Sequence, residues 1–214
     1  MIHLIPIFFV GDYTIYHLLN GYIFDNRLDP RYLTKSQWFI GNLVSYVMLT
    51  LLYYNVVGRT YTNIHDHSYS YTFATIPMNL LLTDALFYFM HRLAHLDLLY
   101  DRIHYLHHSL RPLDSWVSRA SHWVDSNMEN VAFTIPFVLI PTYFPLMYAL
   151  LIFSFFWGSY IHNNGYRVST GPINGAVEHA VHHHYGKKNY NFAYYFTFWD
   201  KLLGTAYQRQ IGQH

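Results

Sequence analysis

Apolar and polar residues fall along this chain in long blocks rather than alternating residue by residue. Trp38 to Val57 runs for 20 residues without a charge, the length a helix needs to cross a hydrocarbon layer. Tyr71 to Met90 repeats the pattern with one charge, Asp84. The 13 polar residues between them, Gly58 to Ser70, make the pair a membrane hairpin. Val131 to Ile161 is 31 residues long, too long for one span. Pro136, Pro141 and Pro145 interrupt it, so the PTYFP segment at 141–145 is read as a turn between two shorter helices. Ile2 to Phe24 is a further apolar stretch, which carries His3, Asp12 and His17. It lacks the basic start and small-residue cleavage site of a signal peptide, and its retention is expected. No internal repeat, low-complexity tract or linker divides the chain. The expected fold is an all-α integral membrane protein, with about four transmembrane helices in two hairpins and residues 1–214 as one domain.

Charge sets the orientation. If both hairpins open to one side, that side holds 12 of the 13 Lys and Arg, with only Arg59 opposite. Positive loops face the cytosol. Charged residues make up only 12% of the chain, half the usual share in soluble domains. The net charge of +1 without a basic run leaves no footprint for nucleic acid. Cysteine is absent, which excludes disulfide scaffolds, thiolate metal sites and cysteine nucleophiles.

Histidine is the unusual component, with 16 in all. Eleven lie between His91 and His184, on the predicted cytosolic side. His91 and His95 are spaced i, i+4. His104, His107 and His108 follow an i, i+3, i+4 pattern, and His179, His182 and His183 repeat it. On a helix such residues share a face, so each group is expected to offer its imidazoles to a single point. Neutral imidazole is a common ligand for zinc, iron, copper and nickel. Eight clustered histidines exceed the needs of one zinc site and suit two metal ions in a cytosolic His-rich cap. His162 ends the last apolar helix and is a ninth candidate. His122 lies between the second and third clusters, whereas His184 should point off the ligand face. Asp84, seven residues before His91, is expected to accept the N–H of a metal-bound histidine, because an ionisable residue within a span is costly to keep. Oxidising an unactivated C–H bond in a lipid requires O₂ and a metal that changes oxidation state, so iron is expected, with zinc as a possible substitute.

The block Asp84-ALF-Tyr88-FM-His91-Arg92-LA-His95-LDLL-Tyr100-DRI-His104-YL-His107-His108 resembles the fatty acid hydroxylase/sterol desaturase superfamily. His122-Trp123-Val124-Asp125 stands where that family has an H-P-[IV]-[DE] element. Ile161-His162-Asn163-Asn164-Gly165-Tyr166-Arg167-Val168 and Tyr194-Tyr195-Phe196-Thr197-Phe198-Trp199-Asp200-Lys201 are similar to phrases of its sterol C5-desaturase branch. The departures are Trp123 for Pro, Asn163 for Asp, Glu178 for a further His and Val181 for Asp. The resemblance implies a di-iron enzyme of the endoplasmic reticulum that uses O₂ to introduce the C5=C6 bond into Δ7-sterols. Electrons would come from NAD(P)H through cytochrome b5, docked on Arg102, Arg111, Lys187 and Lys188. It also implies metal ligation by His91, His95, His104, His107, His108, His162, His179, His182 and His183, with Asp84, His122 and Asp125 orienting them. Fatty-acyl or lipid hydroxylation and C4-methylsterol oxidation share these histidines. A membrane metal transporter is the alternative from another class.

Overall fold

The computed structural model describes Val47, Val56, residues 58–110, Leu113, Ser115, and residues 117–119, 121–163 and 171–208. The expected N-terminal stretch and most of the Trp38–Val57 span lie outside the described residues. Among the described residues every regular element is helical: α1 (Tyr69–Ala94), α2 (Asp97–Leu99), a π-helical turn (Tyr100–His104), α3 (Tyr105–Ser109), α4 (Trp123–Leu139), α5 (Phe144–Ile161), α6 (Ala176–Tyr185) and α7 (Phe198–Leu202). Extended pairing among them is limited to two isolated bridges, Tyr61 with Tyr143 and Ile173 with Phe196.

The two longest helices, α1 and α5, are each long and apolar enough to cross a membrane. Only 33% and 28% of their apolar windows are buried within the protein. Phe73, Met78, Leu81, Phe89 and Leu93 on α1 and Phe153, Phe155 and Phe156 on α5 are exposed. A water-soluble core helix would bury such residues; lipid accepts them. The polar residues of α1 turn inward instead, with Thr72, Thr75, Asn79, Thr83 and Asp84 all buried. The Asn79 amide donates to Thr75 O (2.7 Å) and Thr142 Oγ1 (3.1 Å), and the hydroxyls of Tyr61 and Thr72 pair at 2.7 Å. In a lipid environment such groups must find partners inside the protein.

The expected turn at PTYFP is present: α4 stops at Leu139 and α5 starts at Phe144, with Pro145 in its first turn. Phe144 N donates to Tyr61 O at 2.8 Å, so this turn and the Gly58–Ser70 loop lie at the same end. Near that end Val56 packs with Phe137, Met147 and Leu150. The helix expected to begin at Val131 instead begins at Trp123, because the His122 imidazole caps it by accepting from Val124 N (3.2 Å). Trp123, where the family has Pro, is therefore the first helical residue, a position where proline is well tolerated. Two extra turns of polar helix result, and they carry Asp125 and Glu129.

Residues 190–196 form a strap across the inner ends of α1 and α5, and its backbone polar groups are met largely by side chains. Asp200 accepts from Phe192 N (2.8 Å), Ala193 N (3.0 Å) and Thr205 Oγ1 (2.7 Å). Asp84 Oδ1 accepts from Tyr194 N (3.0 Å) and Tyr195 N (2.6 Å). Asn174 donates to Ala193 O, and Trp157 Nε1 to Tyr194 O at 2.8 Å. Asp84 thus holds the strap and not an imidazole, contrary to the expectation from its spacing to His91. A carboxylate one or two turns from a ligand finds whichever donors the fold brings, and here bare backbone amides arrive first. Replacing Asp84 or Asp200 by Ala orphans two buried amides each. Each change should destabilise the protein by about 2–4 kcal/mol, read as a lower thermal midpoint in detergent. An unchanged midpoint for either would remove that carboxylate from the account.

Candidate metal centre

Nine buried histidines meet at the inner end of the helices, and they sort into two sets. In the first, His91, His95, His104, His108 and His182 each place one ring nitrogen within 4.8 Å of the others. In the second, His107, His162, His179 and His183 do the same. All nine of the expected ligands are therefore gathered. The local expectation needs correction: no triplet converges on one point. His104 and His108 serve the first set while His107 serves the second, and His179 and His183 serve the second while His182 serves the first. Residues i and i+4 lie one above the other on a helix, whereas i+3 leans to the opposite side of that line. The spread is enough to aim a ring at a separate centre.

Several elements place these rings. His91 sits in the last turn of α1 and His95 is its C-terminal cap. The π-helical turn Tyr100–His104 then brings His104 round to the α1 pair, with ring centroids 4.6 Å from His95 and 5.0 Å from His91. Wide turns of this kind recur at functional sites. His162 caps α5, and α6 carries the last three.

Four rings are held by their Nδ1–H donors. His104 donates to Asp125 Oδ2 at 2.8 Å, His91 to Phe192 O at 2.9 Å, His162 to Gly158 O at 2.7 Å and His182 to Tyr190 O at 2.8 Å. Such partners fix the tautomer and leave Nε2 as a bare lone pair. Asp125 is thus the one carboxylate among these four acceptors. His122 lies outside both sets, occupied as the α4 cap. Glu178 caps α6 by accepting from Gly175 N (3.0 Å). His184 is exposed. The three backbone carbonyls carry no sequence signature, since any residue type supplies one.

These bare nitrogens face one another. Nε2 of His108 lies 3.1 Å from Nε2 of both His104 and His182. Nε2 of His162 lies 3.0 Å from that of His179 and 3.2 Å from that of His107. His179 and His183 approach to 3.1 Å. His104 and His182 both present lone pairs to His108, which carries one proton at most. Protons alone cannot satisfy the arrangement, whereas a cation at each focus can accept the inward lone pairs. The donor set, neutral and all-nitrogen, fits a transition metal.

Burial pushes the values of His108, His179, His182 and His183 well below the ordinary 6.5, and neighbouring imidazoles push them further down. Burial alone would raise Asp125, but the His104 ring beside it overrides this and holds the carboxyl below its usual range.

The sequence matches the fatty acid hydroxylase family over residues 76–205, and the chain belongs to that family. Among curated proteins it is similar to a Delta(7)-sterol 5(6)-desaturase of Schizosaccharomyces pombe, 32% identical over 177 residues, which are 81% of this chain and 49% of that one. It is also similar to the Delta(7)-sterol 5(6)-desaturase of Candida albicans, 31% identical over 215 residues, 92% of this chain and 54% of the relative. A third, from Aspergillus fumigatus, is 34% identical over 143 residues, 65% of this chain and 41% of that one. The chain spans about half the length of the curated relatives it matches. No solved structure matches it.

Purified protein should bind about two metal equivalents per chain, since each focus has enough ligands for one ion. His107→Ala, confined to the four-histidine set, should remove about one of them by elemental analysis; unchanged content would break the partition. Acid should also release metal. Above pH 6.5 His108, His179, His182 and His183 are neutral both folded and unfolded. Below it the unfolded chain takes protons that the buried rings refuse, so stability and metal retention fall as pH drops. Retention unchanged between pH 7.5 and about 5 would contradict neutral-imidazole ligation.

Proposed function

We propose that this chain is a membrane sterol C5-desaturase that uses O₂ to remove the C5 and C6 hydrogens of a Δ7-sterol, giving the Δ5,7-diene. The observation that carries this reading is the pair of adjoining histidine sets with opposed lone pairs, in a family whose similar members bear that desaturase name. His91, His95, His104, His108 and His182 would hold one iron ion, and His107, His162, His179 and His183 the other. When bound, the iron pair supplies the oxidation-state change that O₂ chemistry needs. The balance is one sterol, O₂, two electrons and two protons giving the diene and two waters. NAD(P)H feeding cytochrome b5 would supply the electrons.

The chain's own residues do the positioning. Asp125 and the carbonyls of Tyr190, Phe192 and Gly158 lock four rings with Nε2 inward, which fixes the direction of the donor atoms. Phe87, Phe133 and Tyr194 pack against one another beside the histidines and form an apolar wall there. The proposed topology has four spans in two hairpins, with the histidine cap on the cytosolic face of the endoplasmic reticulum. The shared end of the Gly58–Ser70 loop and the 141–145 turn, and the placement of 12 of 13 basic residues, support it. In the proposed docking face for cytochrome b5, Lys187 is paired with Asp101 at 2.7 Å, which leaves Arg102 and Lys188 as its described basic members.

A fatty-acyl or lipid hydroxylase, or a C4-methylsterol oxidase, would use the same histidines, and the family's own name favours that as the second reading. A metal transporter would string its ligands along a path through the spans; gathering them at helix ends supports the enzyme. Expression in yeast lacking its own C5-desaturase, with sterols profiled by mass spectrometry, should yield Δ5,7-sterols. His107→Ala should yield none while inserting normally. No diene from inserted, iron-loaded wild type would move the assignment to the hydroxylase reading.

A further inference from the structure

Beside the histidine sets lies a cavity of about 20 Å³, walled by rings of both sets and by Phe87, Phe133 and Tyr194. Its shape depends on where the rings stand, and two of the four acceptors that hold rings by Nδ1 flank a single residue. Tyr190 O takes His182, and Phe192 O takes His91. Both rings belong to the five-histidine set, one on α6 and one on α1, with centroids 4.4 Å apart. His162, in the four-histidine set, draws on Gly158 O within its own helix α5.

Asn191 lies between these two carbonyls and is buried. Among the described residues it is the one non-glycine residue with a left-handed backbone, at φ 53°, a conformation that Asn tolerates better than most side chains do. Only the torsions of residues 191 and 192 separate the two carbonyl-bearing peptide planes. Residue 192 is fixed by Asp200 at its N–H and by its fully buried ring, which leaves residue 191 to set the angle between the acceptors. Asn191 is itself held on three sides. Its N–H donates to Thr205 O at 2.9 Å, its Oδ1 accepts from Tyr207 N at 2.9 Å, and its Nδ2 donates to Glu178 O at 3.0 Å. A backbone N–H can only donate and a carbonyl can only accept, so these partners also fix which way the amide faces. Glu178 stands one helical turn before His182 on α6. The Asn191 amide therefore closes a small ring of contacts that runs from Tyr190 O to His182, down one turn of α6 and back to the strap.

We propose that Asn191 is a positioning residue for the five-histidine centre. By fixing the angle between the carbonyls that hold His91 and His182, it keeps their Nε2 atoms aimed at one focus. Without it that focus loses affinity for metal, and the neighbouring one does not. The inference rests on reading the histidines as two metal sites and is independent of the substrate. Asn191→Ala puts a Cβ without a polar group on a left-handed backbone and removes both side-chain bonds. Asn191→Gly takes the same backbone without strain and removes the bonds alone.

The test is titration of the full chain in detergent with Co²⁺, followed by its visible absorption, in two backgrounds. His107→Ala leaves the five-histidine set whole, and His108→Ala leaves the four-histidine set whole. In the first background Asn191→Ala should lower Co²⁺ affinity by about 10–100-fold, the range for lost partners of a metal-bound histidine. Asn191→Gly should fall between that value and its parent. In the second background both variants should leave affinity unchanged. A general loss of packing weakens both sets alike, so equal weakening overturns the proposal, as does unchanged affinity in the first background. If Asn191→Ala fails to insert, Asn191→Gly decides by the same comparison. A wild type that takes up no Co²⁺ overturns the two-metal reading together with the inference. Two bound ions at affinities that neither variant moves overturn the inference alone.

Discussion

Nine buried imidazoles gathered around two points hold their common aim only if enough of the rings have a fixed tautomer and orientation. A free neutral imidazole can exchange its tautomer or flip, and opposed lone pairs repel. The structure meets this by tying Nδ1 of four rings to three carbonyls and one carboxylate, which makes every other choice at this end of the molecule a matter of bringing those acceptors into place. The strap at 190–196 exists in this conformation because its carbonyls hold His91 and His182, and its amides are in turn held by Asp84 and Asp200.

Much of this was readable from residue order. The Asp84–His108 block, the repeated H-x-x-H-H spacing and His162 at a helix end singled out the nine histidines that the fold gathers, because helical periodicity and charge exclusion act locally. The turn at 141–145 was equally clear from its prolines. What periodicity could not tell was which of two centres each ring serves, since that depends on where α6 meets α3. Nor could it tell that Asp84 faces a chain segment 110 residues away. The start of α4 was missed for a related reason: a histidine capped the helix in a place where metal chemistry was the more obvious use of histidine.

The strap also explains why the carboxyl-terminal phrase Tyr194–Lys201 carries family character without supplying a ligand. Its first residue, Tyr194, lines the cavity, with its ring centroid 4.4 Å from that of Phe87. Gly158 lies so close to the Tyr194 hydroxyl that a Cβ there would stand 2.6 Å from it. Wall, ligand support and span packing meet in these few residues, and change in one propagates to the others.

The interleaving of the two histidine sets has a mechanical result. His107 and His108 are chain neighbours serving different foci, as are His182 and His183. The spacing between foci is therefore ruled by the width of a helical backbone, as stiff a spacer as a protein possesses.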